Sequence, residues 1–186
     1  MHLIFLGPPG VGKGTQAKRI CDRFDIIHLS TGEILRTEIA VQSNIGNQAK
    51  LFIDKGKLVP DNVLLDIIDN RLKNNDVQKG YLLDGFPRTI PQAEGLEKIM
   101  KELSHSLKAT VSLLANEDEL VQRLINRSLE SGRSDDAQDI IRQRQKVFWE
   151  QTAPLLDFYR SKNLLKEVNG IGEISKITER ILEVLI

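Results

Sequence analysis

The segment GPPGVGKGT, residues 7–15, is the strongest indication of fold in this 186-residue chain. Its glycines let the backbone curl so that successive N–H groups point to one side. The helical pattern that follows would direct its positive end toward the same point, which favours an anion. Lys13 adds a mobile positive charge there. The stretch therefore predicts a phosphate-binding loop with a G-x-x-x-x-G-K core.

The flanks of the glycine loop supply the context that this motif requires. Residues 2–6 form a short apolar run, typical of a buried strand, and a helical pattern runs from Lys13 to about Asp22. Strand, loop and helix together favour a P-loop nucleotide-binding unit over a plain glycine turn. Gly14 stands where the general motif has Ser or Thr, so Thr15 is the candidate hydroxyl for a magnesium ion.

Apolar runs alternate with helical patterns through the rest of the chain. The remaining predicted strands are residues 81–84, 110–115 and 164–168. The remaining predicted helices are residues 33–41, 46–55, 61–74, 91–103, 117–129, 137–160 and 172–185. This alternation predicts one doubly wound α/β domain, residues 1–186, with about five parallel strands.

Two stretches interrupt the alternation. Residues 30–59 offer about two helices and no convincing strand, which predicts a helical insertion over one edge of the sheet. Residues 126–136 are polar and contain glycine, which predicts a short flap.

Composition excludes several classes of function. Lys plus Arg equals Asp plus Glu, 26 each, so no excess positive charge points to nucleic acid or an anionic membrane. The single cysteine, Cys21, cannot form an intrachain disulfide or a four-cysteine zinc site, and helical spacing predicts that it is buried. No apolar run reaches the roughly 18 residues of a membrane span, and the first apolar run is short for a secretory signal. We therefore expect a cytoplasmic protein.

Asp84 ends the predicted strand at residues 81–84. In P-loop proteins an aspartate in this position helps to hold magnesium. Asp-Gly is also a common turn, so the assignment depends on the glycine loop elsewhere in the chain.

Five further stretches resemble the signatures of adenylate kinases. They are LSTGEILR (29–36), KGKLVPD (55–61), GYLLDGFPRTIPQAE (80–94), GRSDD (132–136) and TAPLLDFY (152–159). The resemblance runs essentially from end to end and is closest to the short-lid form. It implies a P-loop kinase domain with an AMP-binding subdomain at residues 30–59 and a short lid at residues 126–136. It also implies Mg²⁺-dependent transfer between ATP and AMP by a monomer.

The resemblance also assigns residues to each substrate. The implied ATP-binding residues are Gly10, Val11, Gly12, Lys13, Gly14, Thr15, Arg123, Arg127 and Gly172. The implied AMP-binding residues are Thr31, Arg36, Lys57, Leu58, Val59, Gly85, Phe86, Pro87, Arg88, Gln92, Arg133 and Arg144. The residues implied in catalysis are Lys13, Arg88, Arg123, Arg133 and Arg144, with Asp84 holding Mg²⁺ through water. Guanidinium groups suit this work because they fork onto phosphate oxygens and stay charged.

Alternatives remain for individual residues and for the activity. Thr31 could be a helix N-cap, and the arginines could form ion pairs with neighbouring aspartates. A UMP/CMP kinase is disfavoured, because relatives of that type typically have Ala and Asn where this chain has Thr31 and Gln92. A silent nucleotide sensor is disfavoured by the intact Lys13, Asp84 and arginines. The segment SLESG, residues 128–132, is all that separates Arg127 from Arg133, so no zinc site is expected in the lid.

Overall fold

The sheet is parallel throughout. A computed structural model describes residues 1–131 and 137–186, and within them five strands pair in the order β2-β3-β1-β4-β5. The strands are β1 (His2–Leu6), β2 (Ile27–Ser30), β3 (Tyr81–Asp84), β4 (Leu107–Leu114) and β5 (Leu165–Asn169). This arrangement confirms the predicted doubly wound α/β fold.

The described residues contain nine α-helices, of which eight connect strands and the ninth follows β5. They are α1 (Lys13–Phe24), α2 (Thr31–Ala40), α3 (Asn44–Ile53), α4 (Asp61–Leu72), α5 (Ile90–Glu102), α6 (Glu117–Ser131), α7 (Gln138–Val147), α8 (Pro154–Ser161) and α9 (Ile174–Leu185). Side-chain caps fix several starts: the Ser30 hydroxyl accepts from the N–H of Glu33, and the Ser43 hydroxyl accepts from the N–H of Gly46. The N-cap of α2 is thus Ser30, not Thr31.

Alternate side chains of each strand enter two separate cores. On β1, Ile4 and Leu6 join the core formed mainly with α4, α5 and α8, whereas Leu3 and Phe5 join the core formed with α1 and α9. Each fully buried side chain of this kind contributes about 1.5–3 kcal/mol relative to exposure. Cys21 lies in the second core, where burial raises the pKa of its thiol to about 12.

The structure corrects two of the predicted elements. The strand β2 was not predicted, although it lies beside β3 and carries His28 at the sheet edge. The single helix predicted over residues 137–160 was wrong, because a π-helical turn at Phe148–Thr152 separates α7 from α8. Pro154 has no N–H to continue the helical bonds, and the N–H of Ala153 instead reaches back five residues to the carbonyl of Phe148, at 2.8 Å.

The π turn also exposes the single tryptophan. Trp149 is 55% exposed and packs edge-on against Phe148, with ring centroids 5.2 Å apart. The Phe148 side chain is buried.

The predicted insertion and flap are only partly described. Residues 30–59 contain α2 and α3 after the end of β2, in line with two helices. The helix α6 continues through Ser131, so the first positions of the predicted flap are helical. Residues 132–136, which include Arg133, lie outside the described residues. Within the described ranges, no helix is both long and apolar enough to cross a membrane.

Candidate functional site

The glycine loop lies at the carboxyl end of β1, in the central position of the sheet. Gly10 and Gly12 have φ of 90° and 95°, a left-handed conformation that glycine adopts at little cost. A Cβ atom on Gly10 would lie 2.7 Å from the backbone oxygen of Leu120, so the loop also packs too closely on α6 for a side chain there. Loop and helix N-terminus together form a concave surface of backbone N–H groups.

Side-chain donors contact four backbone carbonyl groups of this loop, those of Gly7, Pro8, Pro9 and Val11. The Lys13 ammonium donates to the carbonyls of Gly7 and Pro8 at 2.6 and 3.1 Å. The Gln145 amide donates to the Pro9 carbonyl at 3.1 Å, and a further donor, Arg123 Nη1, lies 3.4 Å from the Val11 carbonyl. Carbonyl oxygens that face these donors cannot face an anion.

The pKa of the Lys13 ammonium lies well below its ordinary value. Burial lowers its pKa to about 8, and the positive charges of Arg88, Arg144 and Arg127 act in the same direction. The carboxylate of Asp84 opposes this shift without cancelling it. The site therefore holds several positive groups at close quarters, as a polyphosphate site requires.

Asp84 closes the neighbouring strand β3 and faces the glycine loop. Its Oδ2 lies 3.3 Å from Nε2 of His28 and would lie 3.5 Å from a Cβ atom on Gly14. Burial alone would raise its pKa, but the hydrogen bond from His28 and the charges of Lys13 and Arg88 outweigh burial and hold the pKa below its usual value. The carboxylate thus stays ionised beside the loop, which suits a magnesium ion.

A cleft of about 860 Å³ runs along the outer side of the glycine loop. Its wall includes all the residues that the sequence implied for ATP, namely Gly10, Val11, Gly12, Lys13, Gly14, Thr15, Arg123, Arg127 and Gly172. Asp84 also borders it. Arg123 is held by the carboxylate of Glu119 at 2.8 Å and by the Gly170 carbonyl at 3.2 Å.

A second, narrower cavity also borders Lys13. Its wall combines apolar side chains such as Leu35, Val59 and Phe148 with arginines. The implied AMP-binding residues that line it are Thr31, Arg36, Lys57, Leu58, Val59, Gly85, Pro87, Arg88 and Arg144. An apolar wall combined with several positive charges suits a base attached to a phosphate.

The backbone and side chain of Arg88 are both held in place. Its Nε donates to the Gly85 carbonyl at 2.7 Å, and its own carbonyl accepts from the Thr152 hydroxyl at 2.9 Å. The peptide bond between Phe86 and Pro87, one residue before Arg88, is cis.

Among the residues that the structure describes, two of the implied AMP-binding residues do not line the cavity. Phe86 and Gln92 are both fully buried, Phe86 within the core beside α4 and α5. The Gln92 amide donates to Asp61 at 2.7 Å and accepts from the N–H of Arg88 at 2.7 Å. A carboxylate only accepts and a backbone N–H only donates, so one orientation of the amide satisfies both.

The two cavities share a charged wall. Lys13, Arg36, Arg88 and Arg144 border both of them, so two ligands could bring phosphates to the same place.

Four contacts of the site were not predicted from the sequence. They involve His28, Asp61, Gln145 and Thr152. The position of His28 could have been anticipated only by recognising β2. The other three lie in helices or at a helical turn, where an isolated polar residue gives no signal before its partner is known.

Comparison with known proteins places the chain in one family. The family model for adenylate kinase matches residues 5–164. An adenylate kinase of Nocardioides sp. is 45% identical over 185 residues, covering 100% of this chain and 97% of the relative. Those of Synechococcus sp. and Stenotrophomonas maltophilia (strain K279a) are 46% and 44% identical, covering 99% and 98% of this chain and 98% and 97% of the relatives. Because the family model matches most of the chain and these relatives match it almost from end to end, the chain belongs to the adenylate kinase family.

Proposed function

We propose that this protein catalyses reversible, Mg²⁺-dependent transfer of the terminal phosphoryl group of ATP to AMP, giving two ADP. Such a reaction balances the adenine nucleotides. The observation that carries this proposal is the charged wall shared by the two cavities, because transfer requires donor and acceptor phosphates to meet. Family membership supports the same reaction.

ATP would occupy the larger cleft. The N–H groups of the glycine loop would bind its β-phosphate, and the Lys13 ammonium would bind the outer phosphates. Arg123 and Arg127, which border this cleft, would bind the triphosphate from α6. Gly172 would contact the adenine at the far end.

AMP would occupy the narrower cavity. Its phosphate would lie against Arg36 and Arg88, with the base among Leu35, Leu58 and Val59. Gln92 would hydrogen-bond the base with the second amide hydrogen and the second oxygen lone pair, which its bonds to Asp61 and to the N–H of Arg88 do not use. This reading requires a small displacement of the cavity wall, since Gln92 is buried behind it.

Catalysis would rest on position and charge. The transition state of phosphoryl transfer spreads negative charge over the equatorial oxygens. Lys13, Arg88 and Arg144 border the region where the phosphates meet, and Arg123 and Arg133 would complete this set. Mg²⁺, when bound, neutralises charge on the β- and γ-phosphates, and Asp84 and Thr15 would hold it, Asp84 through water.

The parts of the domain would divide the work. Residues 30–59 would bind AMP, and residues 126–136 would form a short lid whose closure excludes water from the transferring group. We further propose that the protein works as a cytoplasmic monomer, with nucleotides rather than nucleic acid or membrane as its partners.

The decisive experiment is a coupled assay with ATP as donor and AMP, CMP or UMP as acceptor. AMP should be preferred strongly, whereas equal use of CMP or UMP would favour a UMP/CMP kinase. Single-turnover transfer of labelled γ-phosphate to AMP tests chemistry separately from product release. If the protein binds ATP without any transfer, the chain is a nucleotide sensor and the proposal is wrong.

A pair of variants tests the acceptor site. Arg88→Lys keeps the charge but loses the planar fork, so KM for AMP should rise about ten-fold or more while KM for ATP changes little. Arg71→Lys is the matched control, because Arg71 pairs with Asp76 on the surface. Equal effects of the two substitutions would contradict the role of Arg88.

A further inference from the structure

Gln145 is a buried amide whose nitrogen has a hydrogen-bond partner while its oxygen has none. The residue is 4% exposed, and its Nε2 donates to the carbonyl of Pro9 at 3.1 Å. Its Oε1 is buried and has no hydrogen-bond partner among the described residues. A buried acceptor left unpaired costs about 1–3 kcal/mol, so such a group in a folded protein requires an explanation.

The partner of Gln145 belongs to the phosphate loop. Pro9 borders both cavities, and the peptide bond from Pro9 to Gly10 is trans. In a trans peptide the carbonyl and the following N–H point in opposite directions within one plane. Holding the Pro9 carbonyl therefore also sets the direction of the Gly10 N–H.

The sequence makes this N–H unusually important for the loop. Residues 8 and 9 are both proline and have no N–H to offer an anion. Gly10 is therefore the first backbone donor that the loop can present after Gly7. Gly10 has φ of 90°, where glycine has little intrinsic resistance to rotation, so its peptide plane needs an external support.

We propose that Gln145 is a positioning residue for the donor site, which holds the Pro9–Gly10 peptide plane so that the Gly10 N–H binds a phosphate of ATP. This inference rests on the proposed function only for the identity of the nucleotide. Arg144, the preceding residue of α7, borders both cavities, so the same helix that carries this arginine also supports the phosphate loop.

The inference predicts that removing the Gln145 amide weakens ATP binding without lowering the stability of the fold. Gln145→Met keeps the length of the side chain but removes both the donor and the unpaired acceptor. Loss of one hydrogen bond is offset by loss of the buried unpaired oxygen, so Tm should be unchanged or higher. Without its support the Gly10 N–H loses its fixed direction, so Kd for ATP should rise about ten-fold, as expected for a weakened bond to an anion.

The test is calorimetry of ATP, inorganic tripolyphosphate and AMP with the full chain, together with thermal unfolding. Kd for tripolyphosphate should rise by the same factor as Kd for ATP, while Kd for AMP should change by less than about two-fold. Gln143→Met, a half-buried position on the same helix, is the matched control and should bind all three ligands as the wild type does. Gln145→Glu presents oxygen instead of N–H to the Pro9 carbonyl, so it should weaken ATP at least as much as Gln145→Met.

Three results would overturn the inference. The first is a Kd for ATP within about two-fold of the wild type in Gln145→Met. The second is an equal rise in Kd for ATP and for AMP in Gln145→Met, together with a lower Tm. The third is a Gln145→Glu variant that binds ATP as tightly as the wild type. None of these readouts requires turnover. If the wild type binds ATP but fails to phosphorylate AMP, the proposed function fails while the role of Gln145 is still decided by binding.

Discussion

Replacing Lys13 by methionine should stabilise the protein while disabling it. Methionine has a similar length and no charge. A pKa of about 8 in place of the ordinary 10.5 means that the folded protein holds the ammonium at a cost of about 3 kcal/mol, an upper bound because the side chain is only half-buried. We expect the unliganded Lys13→Met variant to gain less than this amount in free energy of unfolding at pH 7, because loss of the hydrogen bonds to the Gly7 and Pro8 carbonyls offsets part of it. Turnover should fall by about two to four orders of magnitude.

The stability difference should depend on pH in a defined window. Below about pH 8 lysine is protonated in both states, so the cost of the buried charge is present in full. Between about pH 8 and 10.5 the unfolded chain binds more protons than the folded one, so the stability of the wild type rises with pH relative to the variant. The advantage of Lys13→Met should therefore shrink across this interval.

Urea denaturation of both proteins at pH 7, 8.5 and 10 measures this difference directly. Calorimetry with ATP at pH 7 gives the matching loss of affinity. A stability difference between the two proteins that stays constant from pH 7 to 10 would refute the argument that the buried ammonium of Lys13 lowers the free energy of unfolding. A variant with normal ATP turnover would refute the assignment of Lys13 to the phosphates.

Three further results follow from the structure. Gln92→Ala removes the amide that we propose reads the AMP base, so KM for AMP should rise by a factor equivalent to about 1–3 kcal/mol. An equal rise in KM for ATP in the same assay would exclude a role of Gln92 in the acceptor site. Burial is the main reason that the pKa values of the stacked His2 and His105 lie below the ordinary 6.5. Acidification from pH 7 to 5 should therefore lower the free energy of unfolding. In denaturation curves, His105→Gln should make that free energy depend less on pH. In tag-free protein without nucleotide, Tm should not respond to chelators, and stoichiometric zinc in elemental analysis would contradict this.

The elements with strong local signals were predicted closely. The glycine loop, β1 and β3 follow from apolar runs bounded by glycine and proline, and α1 follows from helical spacing. The strand β2 has only four residues, of which three are partly exposed, so neither a buried run nor a clear alternation distinguishes it. Long-range pairing with β3 makes it a strand, and a single sequence does not display that pairing.

The site was predictable to the extent that it is built from backbone and arginine. Arg88 and Asp84 were identified because they stand in a specific motif next to a strand end. The supports of the site were not, because Asp61, Gln145 and Thr152 resemble the polar residues of any helix surface until their partners are located. The π turn was missed for a related reason, since apolar spacing continues through it while the hydrogen-bond pattern changes.

The π turn gives the molecule a built-in optical probe. Trp149 is the single tryptophan of the chain, and its indole touches the ring of Phe148, which lines the narrower cavity. A ligand that displaces Phe148 would alter the surroundings of an indole that is otherwise largely in water. Emission from the unlabelled protein should therefore distinguish occupancy of the narrower cavity from occupancy of the phosphate cleft, and the order in which two nucleotides bind could be followed in a stopped-flow fluorimeter without attaching any dye.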